Sequence, residues 1–234
     1  MKIAGVYPTS LLDYPGHIST ILFTQGCNFK CPYCHNSQLI TFISDTENLL
    51  EQAKELIENR KNLIEAVVIT GGEPLVQDFN ELVDLIKWIK KQGLKIKLDT
   101  NGSRPIELKE LIDLNLLDYV AMDVKLSLES YSILGGEARM DLKDKIKLSI
   151  DTLISSTIEY EFRTTVVPKL HTETDIENIA KAIKGADNYY IQNFKANENV
   201  YAPIWRDLKG FTPDELKKFK NIAEKYVKNV EIRN

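Results

Sequence analysis

Six short β-rich apolar runs, separated by stretches of helical periodicity, constrain this chain more than any other feature. The runs are residues 17–24, 66–70, 96–100, 119–124, 161–167 and 189–194, and a short run at 230–232 is a candidate seventh. Strand-like and helical segments that alternate in this way encode βαβ units and a parallel sheet. Leu82, Leu85, Ile86 and Ile89 recur at helical spacing within 79–92 and mark one buried face, with Gly93 as its C-terminal stop. A further helix is expected over 49–59, and Thr212-Pro213 with Glu215 signals the start of the last one. Six right-handed units are fewer than the eight of a closed barrel. The expected fold is therefore α/β: a partial (β/α)6 TIM-like barrel with a parallel sheet, open on one side. A single domain over 1–234 is expected, with a core at about 17–195 and a C-terminal loop and helix at 196–234.

In such folds the active face is the rim at the C-terminal strand ends. The unusual residues fall there. A cysteine-rich loop follows the first run, and Thr70-Gly71-Gly72-Glu73-Pro74 closes the second. Asp99-Thr100-Asn101-Gly102 closes the third, and Asp123-Val124-Lys125 the fourth. Arg163 lies within the fifth, with His171 beyond its end, and Gln192 and Asn193 finish the sixth.

A net charge of −4 lacks the basic excess that nucleic-acid or membrane-surface binding favours. Pro8, Asp13 and Pro15 interrupt any signal-like apolar stretch near the N-terminus, and no apolar run is long enough to span a bilayer. A cytoplasmic protein is expected. All three cysteines, Cys27, Cys31 and Cys34, lie within eight consecutive residues. An odd number so closely spaced is no disulfide framework; it reads as a metal or cluster site. Three thiolates on an iron–sulfur cluster leave one iron open to a small molecule, whereas a redox cluster takes four. The competing readings are structural zinc with His35 as fourth ligand, strained by the adjacency of Cys34 and His35, and inert cysteines.

The C-x3-C-x2-C spacing, with Gly26 before the first cysteine and Tyr33 before the last, resembles the radical S-adenosylmethionine superfamily. The stretch LLDYPGHISTILFTQGCNFKCPYCHNSQL is similar to the glycyl-radical-enzyme activases, and most of all to the anaerobic ribonucleoside-triphosphate reductase activating proteins. The likeness runs from about Ile3 to Ala196. It implies a 4Fe–4S cluster on Cys27, Cys31 and Cys34 whose open iron binds S-adenosylmethionine. Reductive cleavage would then give methionine and a 5′-deoxyadenosyl radical.

The same resemblance assigns roles along the rim. Gly71, Gly72 and Glu73 match the family's GGEP element, near the methionine amino group, although a Gly-Gly pair alone is usually a plain turn. Asp99, Thr100 and Asn101 match its DTNG element, and Asp123 with Lys125 its D-x-K element, along the ribose and carboxylate. Lys125 is the expected carboxylate partner, against the ordinary fate of a solvated lysine. Asp99 and Asp123 are a candidate site for a small cation. Arg163 must be paired or functional in its apolar strand, with a core carboxylate, the cofactor or a partner chain. His171 matches a cofactor position only loosely, and His17 reads as structural. Tyr33 is expected against the adenine, or as a shield for the cluster. The segment 195–211, with Tyr201, Pro203, Ile204 and Trp205, is a long irregular connection that covers the barrel, touches a partner or packs in the core.

The function these likenesses imply is glycine activation: hydrogen abstraction from a backbone glycine of a partner glycyl-radical enzyme, an anaerobic ribonucleotide reductase or a relative. A one-electron donor such as flavodoxin or ferredoxin is implied. With no further cysteine in the 234 residues, neither a Cys-ligated auxiliary cluster nor a separate substrate domain is expected. The alternatives are a small-molecule enzyme on the same scaffold, such as 7-carboxy-7-deazaguanine synthase, a radical maturase of another peptide, and a non-catalytic zinc-binding module.

Overall fold

A computed structural model describes residues 1–42, 48–136 and 141–233. In chain order its main elements are β1 (Ile3–Ser10), β2 (Ser19–Thr24), α1 (Leu50–Arg60), β3 (Ala66–Gly71), α2 (Phe79–Lys91), β4 (Lys95–Thr100), α3 (Pro105–Asp113), β5 (Tyr119–Asp123), α4 (Leu142–Ser155), β6 (Glu159–Val166), α5 (Glu173–Ala182), β7 (Asn188–Asn193), α6 (Pro213–Ala223) and β8 (Asn229–Arg233). The expected alternation of strand and helix is present. All six anticipated strands form within a few residues of their expected limits, and the candidate run at 230–232 lies in β8.

The chain divides into two compact units. The first comprises Met1–Asn28, Gln38–Thr100 and Ile106–Val120; the second comprises Phe29–Ser37, Asn101–Pro105 and Ala121–Asn234. In the first, the strands lie in chain order from β1 to the start of β5. Strands β2, β3 and β4 are parallel, and β1 is antiparallel to β2. Ala66, Val67, Val68 and Ile69 are all fully buried, the continuous apolar run of a parallel strand covered on both faces. The α2 stripe of Leu82, Val83, Leu85, Ile86 and Ile89 is buried as its spacing requires. Asp78 caps α2 by accepting from the Glu81 N–H, and Gly93, at φ +80°, ends it.

Strand β1 is the element the sequence concealed. Gly5 and Pro8 interrupt its pattern, yet both are tolerated because β1 is an edge strand. Pro8 falls inside a register shift between Tyr7 and Ser10, where no ladder N–H is required. Its carbonyl accepts from the Thr20 hydroxyl at 2.8 Å. His17 precedes β2 instead of opening it. Its ring nitrogens meet Glu65 and Lys95, the structural role expected of it.

In the second unit the strands run in order from the end of β5 to β8, with β6, β7 and β8 parallel. Phe162, Tyr189 and Ile191 are fully buried, as are Ile146, Ile150 and Leu153 of α4 and Ile176 and Ile179 of α5. Helices α5 and α6 each start at a complete capping box, Thr172 with Asp175 and Thr212 with Glu215, and Pro213 occupies the first turn of α6 as anticipated. No helix among the described residues is long and apolar enough to cross a membrane.

Ile86→Ala removes a fully buried side chain from α2 and should lower the unfolding free energy by about 2–4 kcal/mol. Thr212→Ala should cost about 1 kcal/mol through the lost cap. Urea titrations of both variants check the ranking.

Candidate functional site

In the first unit, the end of β2 carries Cys27 and the end of β3 carries the glycine pair. The Cys27 N–H donates to the Ile40 carbonyl at 3.0 Å, and the Gly26 N–H to Leu39 at 2.7 Å. Gly71, at φ +119°, lies so close to Thr24 that a Cβ would meet the Thr24 nitrogen at 2.4 Å. A Cβ on Gly72 would stand 2.1 Å from the Gly26 carbonyl oxygen. Main-chain bonds fill that space: Gly72 N–H to Thr24 O at 3.0 Å and Glu73 N–H to Gly26 O at 2.8 Å. The close approach that only glycine permits is made to the backbone leading into the cysteine loop.

Glu73 and Thr100, both assigned to the cofactor by resemblance, meet directly. The Thr100 hydroxyl donates to Glu73 Oε1 at 2.7 Å, and the same oxygen accepts from the Leu75 N–H at 3.1 Å. Asp99 is engaged by Lys97 Nζ at 2.6 Å. Lys97 is 2% exposed, with its ammonium 5.9 Å from the Tyr119 ring centroid. It is a buried charge that sequence reasoning missed. The available signal was its i, i+2 spacing to Asp99, which puts both side chains on one face of β4.

The second unit gathers Tyr33, Cys31, Cys34, Asn101, Asp123, Lys125, Arg163 and His171. Asp123 leaves the end of β5 between two cations: Arg163 Nε lies 2.8 Å from Oδ1, and Lys125 Nζ 3.2 Å from Oδ2. Burial raises the Asp123 pKa, but Arg163 and Lys125 outweigh it and hold the group at about 2. Burial acts against the Lys125 charge, and Asp123 more than restores it, so this lysine stays protonated. The Lys125 N–H donates to the Tyr131 hydroxyl at 2.9 Å. His171 is buried, and both ring nitrogens serve the backbone. Nδ1 accepts from the Val167 N–H at 3.0 Å, so Nε2 carries the proton and donates to the Lys125 carbonyl at 2.9 Å. Burial lowers its pKa and keeps that tautomer neutral. Asn101 is likewise buried, its Oδ1 accepting from the Ser103 N–H at 2.9 Å. A carboxylate, that of Asp123, is one of the partners expected for Arg163, and the two are paired here.

Burial pushes the Cys31 thiol up to about 11, although Lys125 favours its thiolate. The Cys34 thiol is also raised by burial, with Lys125 again opposing. The Cys34 N–H closes a turn onto the Cys31 carbonyl at 3.0 Å. The connection 195–211 crosses this loop. Tyr201 N–H donates to Cys34 O at 3.0 Å and Ala202 N–H to Pro32 O at 2.9 Å, while Trp205 stacks on Tyr33 with ring planes 11° apart. His35 Nε2 meets the Lys195 carbonyl, and its ring packs against Phe194.

These residues fit a thiolate-held cluster with an amino-acid ligand beside it. None of the three cysteines is in a disulfide. Among the described residues the buried Tyr33 hydroxyl has no hydrogen-bond partner, a polar group left for a ligand to satisfy. The small cation expected at Asp99 and Asp123 finds no support, because each carboxylate is already neutralised by lysine or arginine in its own unit. Among the described residues no group of three His, Cys, Asp or Glu side chains is arranged to hold a metal ion. A cluster is a different case, since it takes each thiolate on a separate iron.

The Radical SAM superfamily description matches residues 21–183. The chain belongs to the radical SAM superfamily. A Methanocaldococcus jannaschii protein with the provisional name glycyl-radical enzyme activating enzyme is 37% identical over 235 residues, 99% of this chain and 95% of its own length. The pyruvate formate-lyase-activating enzyme of Clostridium pasteurianum is 25% identical over 240 residues, 98% of each chain. The solved structure of QueE from Escherichia coli superposes with a TM-score of 0.55 at 16% identity, over 99% of this chain and 93% of that one. At that identity the likeness carries the α/β fold alone. Membership of the radical SAM superfamily implies a 4Fe–4S cluster and S-adenosylmethionine, and it displaces the zinc module, whose fourth ligand His35 is engaged elsewhere.

In the reduced, metal-free radical SAM protein, Cys31 should react with iodoacetamide more slowly than Cys34 at pH 8. A thiol whose folded-state pKa is raised holds its proton below the unfolded value and loses stability as pH climbs through the folded one. Raising the pH toward 11 should therefore speed Cys31 labelling and destabilise the fold together, as peptide mass spectrometry and thermal unfolding would register. Gly72→Ala, which forces a Cβ against Gly26, should lower cluster content on reconstitution, measured as iron and sulfide per chain.

Proposed function

We propose that this chain is a glycyl-radical-enzyme activase whose partner is an anaerobic ribonucleotide reductase or a related enzyme, with flavodoxin or ferredoxin as electron donor. The observation that carries this reading is likeness over nearly the whole chain to two proteins named as activating enzymes. Cys27, Cys31 and Cys34 are the residues that would hold the cluster, with one iron left to take S-adenosylmethionine. When bound, the reduced cluster and S-adenosylmethionine supply a 5′-deoxyadenosyl radical able to take hydrogen from a partner glycine.

The chain's own residues do the positioning. Lys125 is the cation for the methionine carboxylate, its ammonium held by Asp123 and its main chain by Tyr131 and His171. Gly71 and Gly72 bring the β3 end against the backbone that leads into Cys27, and Glu73 with Thr100 locks the turn that follows. Asn101 shapes the backbone after β4, and Arg163 holds Asp123. Tyr33, stacked on Trp205, shields the Cys31–Cys34 turn from water and keeps its hydroxyl for the cofactor.

The test is electron paramagnetic resonance on reconstituted protein, reduced with S-adenosylmethionine and each glycyl-radical enzyme of the same cell. A glycyl doublet with one partner is the expected result. Deoxyadenosine formed without any doublet, and only with a small-molecule substrate, would replace this reading with the 7-carboxy-7-deazaguanine synthase one. Cys31→Ala should abolish deoxyadenosine formation. Lys125→Ala should weaken S-adenosylmethionine binding at least about tenfold, through loss of a charge-assisted contact.

A further inference from the structure

The ends of β6, β7 and β8 frame a cavity that the cofactor assignments leave unused. Thr165 pairs in register with Gln192 and Gln192 with Arg233, so their side chains form one row across the three strands. Asn193, Lys195 and Asn197 continue the wall beyond β7, and His35 adds to it from the cysteine loop, next in the chain to Cys34. The volume is about 310 Å³, at the small end of ligand cavities. No carboxylate is among these lining residues.

The polar groups of this wall are not equally committed. Asn193 is spent on the main chain of Phe211: its Nδ2 donates to the carbonyl and its Oδ1 accepts from the N–H, both at 2.9 Å. Arg233 gives both amino groups to Glu161, each at 2.9 Å, and lies over the Tyr190 ring, 3.2 Å from its centroid. Gln192 differs. Its Oε1 has only the Thr165 hydroxyl, at 3.5 Å and so beyond the ordinary range, and among the described residues its Nε2 donates to nothing. The Lys195 ammonium likewise has no partner among them. A carboxamide that can both donate and accept is matched by a peptide unit, and Asn193 with Phe211 shows that pairing within this chain. A purine is matched less well, because the only ring in the lining is that of His35, which is already packed against Phe194.

We propose that this cavity receives the main chain of the partner's glycine-bearing segment, and that Gln192 pairs with it, Nε2 donating to a peptide carbonyl and Oε1 accepting from a peptide N–H. Glycine brings no side chain, so a segment that contains it can approach the Thr165–Gln192 row as closely as the pairing requires. Lys195 adds a charge-assisted bond to a further carbonyl. The proposal rests on the glycine-activation reading and deepens it, by naming where the substrate chain is held.

The experiment takes the intact glycyl-radical enzyme that gives the doublet and follows the initial rate of doublet growth against its concentration. Equilibrium dialysis of S-adenosylmethionine on the same reconstituted protein, left unreduced, runs in parallel. Gln192→Ala should raise the KM for the partner about tenfold, as loss of two neutral hydrogen bonds predicts, and lower kcat much less. The affinity for S-adenosylmethionine should stay within about twofold, since one neutral bond to it would be worth more. Gln192→Glu, equal in size but without the Nε2 donor, should raise the KM by a similar factor, a loss that packing alone would not produce. An unchanged KM in both variants would overturn the proposal. A fall in S-adenosylmethionine affinity as large as the rise in KM would also overturn it, and would assign the cavity to the nucleoside. Should Gln192→Ala not take up the cluster, Gln192→Glu decides alone by the same two readings. If no partner gives a doublet with the original protein, glycine activation itself fails and the proposal with it. That outcome is distinct from a doublet whose KM ignores Gln192.

Discussion

A strand buried on both faces has no room for an unpaired charge, and the distribution of polar groups in this chain follows from that constraint. The middle of β3 is wholly apolar, and its chemistry begins only at Thr70 and the glycines beyond. Where charges enter strands away from full exposure, they enter as partners: Lys97 with Asp99 on β4, Arg163 with Asp123, and Glu161 with Arg233. Each pair is partly or fully shielded from water, so each resists rearrangement. Such pairs contribute orientation more than net stability, since desolvation consumes much of the attraction. Orientation is what the Asp123–Lys125–Arg163 group gains from its pairing.

The cysteine loop solves a related problem. Cys31 is buried and Cys34 half-buried, and neither is in a disulfide. The second half of the loop is covered by the connection after β7, through two main-chain bonds from Tyr201 and Ala202 and the Trp205–Tyr33 stack. Burial raises the Cys31 and Cys34 pKa values, and Lys125 is a cation that opposes the shift. In the other unit, the glycine pair performs a mechanical task, letting the β3 end approach the β2 end without side chains between them.

Much of this was legible from residues alone. Alternating periodicity announced the strands and helices, capping boxes marked the starts of α5 and α6, and the cysteine spacing with its companion motifs pointed to the superfamily. Three things were not legible. Strand β1 was hidden because Gly5 and Pro8 break its pattern, and only an edge position with a register shift makes them acceptable. His171 matched a cofactor position only loosely, and no local pattern announced that both its ring nitrogens meet backbone groups of Val167 and Lys125. Glu161 and Arg233 are 72 residues apart and carry no motif, so nothing local linked them.

The sequence by itself determined the α/β class, the order of the elements and the superfamily to which the cysteine spacing points. Periodicity, caps and ligand spacing are local properties, written within a few turns of chain. Only the tertiary structure decided which charge faces which: that Arg163 serves Asp123, that Glu161 is held by the last strand, and that His35 turns to Lys195. Those choices depend on register between strands far apart in the chain and on which side chains lose their water. No short stretch of residues contains that information.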